Sequence, residues 1–198
     1  MNKLSIEICK RIRSVIGESK ISLHEPFFDD LEKENLKNCI DTSYVSSLGD
    51  YVNSFERLIQ DYKGSNKVVA LVNGTSALHL ALKVTGVKPD QEIICPSLTF
   101  VATANAISYV NAYPHFVDIS ERTLGIDPLA LEQWLDKIII RKNGESINKT
   151  TGRKVSGIIP MHTYGHPSEI DLLVEVARKY NLILIEDAAE SLGSFYKG

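Results

Sequence analysis

The sequence predicts an α/β fold in which helices flank a mainly parallel sheet. From Asn66 onward, short apolar runs typical of strands alternate with segments whose apolar residues recur at helical spacing. Such alternation places successive strands in a parallel sheet with helices on both faces. A second observation is the run Leu182–Ile185, four apolar residues in a row. Runs of this kind are typical of strands buried on both faces, as parallel strands are.

Composition limits the function classes. The chain has 198 residues, of which 43% are hydrophobic and 24% charged, with a net charge of -3. This is ordinary for a globular protein, and the charge predicts no nucleic-acid partner. Cys9, Cys39 and Cys95 form no CxxC pair, so we predict neither a disulfide framework nor a metal site. The polar N-terminus and the lack of a long apolar run predict a cytoplasmic protein without a membrane partner.

Residues 1–65 are predicted to form a separate helical segment. Asp50 is the expected N-cap of its third helix and Gly64 the expected C-terminal end, while the Ser- and Thr-rich stretch Asp41–Gly49 is an expected loop. The apolar spacing predicts helices over Leu4–Ile16, Phe28–Ile40 and Asp50–Gly64.

Residues 66–198 hold the alternating elements. Two helices have predicted caps, at Asp127 before a first-turn proline and at Ser168. The polar stretch Arg141–Lys154 is an expected surface excursion. The predicted strands are Val68–Val72, Glu92–Cys95, Tyr113–Val117, Gly157–Met161 and Leu182–Ile185, with further helices over Thr75–Thr85 and Phe100–Tyr109.

A phosphate site is predicted where the first of these strands meets its helix. Gly74 permits close backbone approach, Thr75 and Ser76 add hydroxyls, and a helix start offers free amides that favour an anion. The alternative is a turn with an N-cap at Asn73. Neither a P-loop nor a GxGxxG fingerprint is present.

An acidic pair follows the last predicted strand. A carboxylate at a hydrophobic strand end is unfavourable unless it has a cationic partner, and ligands of open α/β sheets bind at this edge. Asp187 is therefore a candidate ligand for a basic nitrogen, although Glu186 could be the functional acid or Asp187 a helix cap. A phosphate site and a carboxylate at two strand ends suggest one ligand with a phosphate and a basic nitrogen.

Two further loops fall at the same predicted edge. Phe100 lies at a strand-to-helix junction, where it could stack on a planar ring or belong to the core. The loop His162–Pro167 follows another strand. Gly165 breaks any helix between its two histidines, so a pocket lining that includes His162 and Tyr164 is favoured over a metal pair.

Taken in order, these segments resemble the DegT/DnrJ/EryC1/StrS family of sugar aminotransferases, over about residues 45–198. Each matching stretch is weak alone, but five in the same order are specific. They are Asn73–Leu82, Pro96–Asn105, Phe116–Asp118, His162–Pro167 and Glu186–Glu190.

The resemblance implies a pyridoxal 5′-phosphate (PLP) enzyme of fold type I, the aspartate-aminotransferase-like fold, with residues 66–198 as the N-terminal part of its large domain. Gly74, Thr75 and Ser76 would hold the cofactor phosphate. Phe100 would stack on the pyridine ring, and Asp187 would pair with the ring nitrogen so that the ring can act as an electron sink.

The last implied contact departs from the family pattern. Glu190 stands where many members have a glutamine that contacts the phenolic oxygen of the ring, and two anionic oxygens would repel. The Schiff-base lysine is expected beyond Gly198, and Lys197 matches a surface position. No catalytic residue is therefore assigned, and the chain is expected to be the N-terminal part of an enzyme, without the small domain.

The resemblance also implies substrates and partners. The expected reaction moves an amino group, from a donor such as glutamate, to a keto group of a nucleotide-linked deoxy sugar in polysaccharide or nonulosonate synthesis. The motifs resemble most the branch that aminates UDP-4-keto-6-deoxy sugars for legionaminic-acid-type products. A homodimer is expected at full length. The alternatives are a sugar dehydratase of the same fold, with histidine in place of the lysine, and a non-catalytic fragment that binds PLP or a partner chain.

Overall fold

The computed structural model describes residues 2–17 and 26–198. The chain divides into two compact units, Met1–Ala70 and Leu71–Gly198, where the sequence predicted a division after residue 65. Among the described residues, no helix combines the length and apolar character needed to cross a membrane.

The first unit contains the three predicted helices, α1 (Lys3–Ile16), α2 (Asp30–Asp41) and α3 (Asp50–Lys63). A capping box between Asp29 and Glu32 starts α2. The prediction that Asp50 caps α3 was wrong, because Gly49 is the N-cap and Asp50 is the first helical residue. At that position its carboxylate interacts favourably with the positive N-terminal end of the helix dipole. Gly64 ends α3 in the left-handed conformation, as predicted.

The three helices leave their apolar faces uncovered. All their residues are described, and none of them is buried. Large apolar side chains such as Leu36 and Phe55 are more than half exposed. The first unit therefore has no hydrophobic core of its own in the described residues.

The second unit begins with α4 (Gly74–Val84) and alternates strands and helices to its end. Its other helices are α5 (Val101–Tyr109), α6 (Pro128–Ile138) and α7 (Ile170–Tyr180), and its strands are β1 (Glu92–Pro96), β2 (Tyr113–Val117), β3 (Ile139–Lys142), β4 (Glu145–Asn148), β5 (Val155–Ile158) and β6 (Ile183–Leu184).

Four of these strands form a parallel sheet in the order β2-β1-β5-β6, which confirms the predicted fold class. The chain passes from β1 outward to β2 and then returns to the other side of β1 to form β5. A switch point therefore lies between β1 and β5, and the loops that follow these two strands diverge from it. Such points are where open α/β sheets bind ligands.

Helices cover both faces of the sheet. On one face, α4 and α5 pack against β1 through buried residues that include Leu82, Ile93 and Ile107. On the other face, α6 and α7 pack against β1 and β5 through residues that include Leu135, Ile158 and Leu173. Because all of these side chains are inaccessible, the two layers fix the ends of the strands and helices in place.

The strand predicted over Val68–Val72 was wrong, since residues 67–71 have no regular secondary structure. The Ala70 amide donates to a carboxylate oxygen of Glu56 at 2.7 Å rather than to a neighbouring strand. An apolar run without a strand beside it does not form a ladder.

The stretch Arg141–Lys154 was expected to be a surface excursion, and most of it belongs to the hairpin of β3 and β4. Its turn is Asn143-Gly144, both with positive φ, which is the turn that suits a two-residue hairpin loop. The Asn-Gly pair was a signal in the sequence that the prediction did not use.

Two further boundaries differ from prediction. β5 ends at Ile158 rather than at Met161, because Pro160 has no amide hydrogen to continue the ladder. Ser168 does not cap α7. Its hydroxyl donates to the Met161 carbonyl at 3.2 Å, and Glu169 precedes the helix without a side-chain cap.

Candidate functional site

The second unit places the starts of two helices at the carboxyl edge of the parallel sheet. α5 follows the carboxyl end of β1 directly, whereas α4 runs antiparallel to the strand that it precedes, so that its N-terminus also lies at this edge. The loops after β5 and β6 end there as well. The topology therefore brings most of the predicted site residues to one edge of one sheet.

The predicted phosphate site is the first turn of α4. The side chain of Asn73 caps the helix by accepting the Ser76 amide at 2.9 Å, which confirms the N-cap, while the phosphate site stays a prediction. The amides of Gly74 and Thr75 have no acceptor in the described chain. A Cβ at Gly74 would meet no described atom within 4 Å, so the backbone beside these amides is not crowded. Free amides at the positive end of a helix favour an anion.

Asp187 is buried at the end of β6, with 6% of its surface exposed. Its amide donates to Pro160 at 2.9 Å and its carbonyl accepts the His162 amide at 3.2 Å, which fixes its backbone beside the end of β5. The first residues after it are not helical, so the alternative in which Asp187 caps a helix was wrong. The carboxylate is therefore available to a partner other than the start of a helix.

Two threonines that the sequence analysis missed extend from this carboxylate. Thr103 is fully buried on α5, and its hydroxyl donates to Oδ2 of Asp187 at 2.7 Å. The hydroxyls of Thr103 and Thr99 lie 2.8 Å apart. Among the described residues, the remaining oxygen of Asp187, Oδ1, has a single contact, a long one of 3.4 Å with the Ala189 amide. A pair of threonines four residues apart at a helix start could have signalled a shared helix face.

Phe100 is the N-cap residue of α5, and 69% of its surface is exposed. The alternative that places Phe100 in the core was therefore wrong. A large aromatic side chain is here presented to the outside by the first turn of the helix that also contains Thr103. Its ring is available to stack on a planar ligand.

His162 is buried and has a partner at each ring nitrogen. Nδ1 accepts the Ser168 amide at 3.1 Å, so the proton resides on Nε2, which donates to Oε2 of Glu186 at 3.0 Å. The ring therefore connects the loop after β5 to the residue before Asp187. In these residues Glu186 contacts the histidine while Asp187 contacts α5, because neighbouring residues of an extended chain point to opposite sides.

The loop after His162 lies against the loop after Asp187. Gly165 has a φ of +77°, and a Cβ there would lie 2.5 Å from the carbonyl oxygen of Glu190, so only glycine fits. Tyr164, at 82% exposure, extends outward from this loop, and the side chain of Glu190 is also exposed. The two predicted pocket candidates thus differ, since His162 is enclosed and Tyr164 is accessible.

Lys197 takes part in a surface cluster. Its ammonium donates to Oδ2 of Asp171 at 2.6 Å, and that hydrogen bond, with a smaller contribution from Tyr196, raises the pKa of the amine. A lysine that acts as a nucleophile needs a lowered pKa. The environment of Lys197 thus favours the charged form.

Comparison with known proteins identifies the family. Residues 27–198 match the model of the DegT/DnrJ/EryC1/StrS aminotransferase family. The chain belongs to this family. Family membership accounts for the fold, and members are named as pyridoxal phosphate-dependent enzymes.

Several members resemble the chain over most of its length. The GDP-perosamine synthase of Caulobacter vibrioides is 38% identical over 179 residues, which are 90% of this chain and 44% of the synthase. The putative pyridoxal phosphate-dependent aminotransferase EpsN of Bacillus subtilis is 36% identical over the same shares of the two chains. The crystal structure of 3-amino-5-hydroxybenzoic acid synthase matches with a TM-score of 0.73 and 29% identity, over 88% of this chain and 42% of that one. The chain thus spans less than half the length of these relatives.

Proposed function

We propose that this chain forms the PLP-binding part of an aminotransferase that acts on a nucleotide-linked keto sugar. The observation that supports this most strongly is the buried carboxylate of Asp187, which within the described part of the chain has a strong hydrogen bond at Oδ2 and only a 3.4 Å contact at Oδ1. A buried carboxylate oxygen without a strong partner is unfavourable. The protonated ring nitrogen of PLP would supply that partner.

The other residues at this edge fit the same cofactor. The free amides of Gly74 and Thr75, with the hydroxyls of Thr75 and Ser76, would hold its phosphate. Phe100, exposed on the first turn of α5, would cover one face of its ring. PLP is the cofactor of relatives in this family, and an anion site, an aromatic face and a buried acid suit its phosphate, its ring and its ring nitrogen.

The chemistry then divides between cofactor and protein. PLP, when bound, withdraws electrons from the substrate carbon. Asp187 would keep the proton on the ring nitrogen, and Phe100 would exclude water from one ring face. Glu190, exposed beside Gly165, would lie near the phenolic oxygen of the ring. Tyr164 would line the substrate pocket. The lysine that bonds PLP would come from residues after Gly198.

The sugar is inferred from motifs and relatives. Relatives named as GDP-perosamine synthases support a nucleotide-linked sugar as substrate. The loop His162–Pro167 and the segment Glu186–Glu190 resemble the branch that aminates UDP-4-keto-6-deoxy sugars for legionaminic-acid-type products. We propose that branch, with glutamate as donor and a homodimer as the working form.

The test is a binding and turnover assay on the full-length protein. It should bind PLP, with visible absorbance, and convert a UDP-linked 4-keto-6-deoxy sugar to the amino sugar in the presence of glutamate. A GDP-linked sugar is the matched control for the branch, and faster turnover of it would contradict the UDP proposal alone. Mass spectrometry separates the alternative, because a dehydratase removes a hydroxyl group and adds no nitrogen. A protein that binds no PLP would refute the whole proposal.

A further inference from the structure

We infer that Thr103 is the positioning residue for Asp187, with Thr99 as its support, and that it orients the free carboxylate oxygen toward the ring nitrogen of PLP. The inference rests on the proposed function, since it concerns how that site is organised. It depends on a hydrogen-bond chain in the described structure that joins the helix start to the strand end.

The direction of the hydrogen bonds in this chain follows from the number of protons. A carboxylate can only accept, so the single hydroxyl proton of Thr103 is donated to Oδ2 of Asp187. The oxygen of Thr103 can then only accept from Thr99, whose hydroxyl lies 2.8 Å away. The hydroxyl proton of Thr99 is therefore donated to Thr103, and that of Thr103 to Asp187. A hydrogen-bond chain with one possible proton arrangement favours a single geometry.

The hydrogen bond from Thr103 fixes the rotation of the Asp187 carboxylate. Its backbone is held on both sides, by Pro160 and by His162, so the position of its Cα is set by the sheet. The carboxylate could still rotate about its side-chain bonds. The Thr103 bond at 2.7 Å removes that rotation and leaves Oδ1, whose only described contact is 3.4 Å long, as the oxygen for a cation.

The same helix turn also sets the ring face. The Thr103 amide donates to the carbonyl of Phe100 at 3.1 Å, so both residues belong to the first turn of α5. Ala106 and Ile107, one turn further on, are fully buried and anchor α5 to the sheet. One turn, fixed by the core, therefore holds both the residue that would stack on the ring and the residue that orients Asp187. A ligand that needs both contacts would find them at a constant separation.

The test compares Thr103→Val with Thr103→Ser in the full-length protein. Valine keeps the shape but removes the donor, whereas serine keeps the donor. We measure the dissociation constant of PLP by equilibrium titration and the ¹⁵N chemical shift of the pyridine nitrogen in bound, labelled PLP. The expected result for Thr103→Val is roughly tenfold weaker binding, the size of one hydrogen bond to a charged group, and a shift toward the unprotonated nitrogen. Thr103→Ser should restore both.

Thr123→Val is the matched control for stability. Thr123 is also buried, and its hydroxyl accepts a backbone amide, from Gly125 at 3.3 Å, away from Asp187. It should lose stability but keep the wild-type PLP affinity and ¹⁵N shift. If Thr103→Val does not fold, Thr103→Cys replaces it, since a thiol is only a weak donor, and the same loss is expected.

Several outcomes would overturn the inference. One is a folded Thr103→Val or Thr103→Cys protein with the wild-type affinity and nitrogen shift. Another is a loss of the same size in Thr123→Val, which would assign the effect to packing. The proposed function fails in a different way, through a wild-type protein that binds no PLP or through an Asp187→Asn protein that binds PLP as wild type does.

Discussion

Two buried carboxylates occupy opposite edges of the same sheet, and their surroundings differ. Glu92, at the amino end of β1, accepts hydrogen bonds from Nδ1 of His115 at 2.9 Å, from Nδ2 of Asn148 at 2.9 Å and from the hydroxyl of Thr151. Asp187, at the carboxyl edge, has one short bond at Oδ2 and one long contact at Oδ1. One acid is fully satisfied by the protein, and the other is not.

The satisfied acid has a structural role. Trp134 donates to Nε2 of His115 at 3.0 Å, which places the ring proton on Nδ1, where it is donated to Glu92. Burial raises the pKa of Glu92, but the hydrogen bonds from His115, Thr151 and Asn148 outweigh it and lower the pKa from 4.5 to about 2. Glu92 thereby connects β1 to β2 and to the end of the β3–β4 hairpin.

Buried acids with a structural role can therefore be separated from those with a functional role by how many of their oxygens the protein already binds. A carboxylate whose oxygens are all used by the protein has nothing to offer a ligand. Oδ1 of Asp187 has no strong hydrogen bond among the described residues, and it lies at the edge where ligands of such sheets bind. Substitutions at the two sites should therefore affect different measurements.

The largest effect is expected for Asp187→Asn. The amide cannot hold a proton on the ring nitrogen, so turnover by the full-length protein should fall to background and PLP should be lost, while the folded fraction stays near that of wild type. Absorbance of the bound cofactor, a turnover assay and thermal unfolding check this. Glu92→Gln is the matched control, since it should lower the free energy of unfolding by about 1–3 kcal/mol and keep PLP affinity. A loss of PLP in Glu92→Gln together with a loss of stability alone in Asp187→Asn would contradict the two assigned roles.

The second prediction concerns how the free energy of unfolding changes at acid pH. The folded-state pKa of Glu92 is about 2, below its ordinary value of 4.5, so the unfolded chain takes up the proton first. Its contribution, about 3 kcal/mol, is present above pH 4.5 and is lost as the pH falls toward 2. Chemical denaturation at several pH values should show this loss in wild type and a flatter slope in Glu92→Gln. Equal slopes in both proteins would contradict the assignment.

The sequence predicted the carboxyl edge better than the amino edge. Asp187 and Phe100 could be found because each lies within a few residues of the end of an apolar strand, and position along the chain then gives position at the edge. Glu92 could not, because its partner Asn148 lies 56 residues away and only the pairing of β1 with β5 brings them together. Thr103 was missed for the same reason, since it is 84 residues from Asp187. Contacts between distant segments depend on which strands pair, and the near-continuous apolar runs of strands buried on both faces do not show this.

A smaller effect is expected for Phe100→Ala. Because the ring is 69% exposed, the free energy of unfolding should fall by less than about 1 kcal/mol, whereas a core phenylalanine would cost about 3–5 kcal/mol. PLP binding should weaken roughly tenfold through the lost stacking. Tyr109→Ala, at the other exposed end of α5, is the control and should keep PLP affinity. A stability loss of core size with unchanged affinity would remove Phe100 from the site.

The smallest effect is expected for Lys197→Ala. The side chain is two-thirds exposed, and its hydrogen bond to Asp171 raises the pKa of the amine, which favours the charged form over the nucleophilic amine. In the full-length protein the substitution should change neither turnover nor PLP affinity. Borohydride reduction followed by peptide mass spectrometry should find the cofactor attached to a different lysine in both wild type and variant. Attachment to Lys197 would move the chemistry from the residues after Gly198 to this surface cluster, and the carboxyl edge around Asp187 would then no longer account for the reaction.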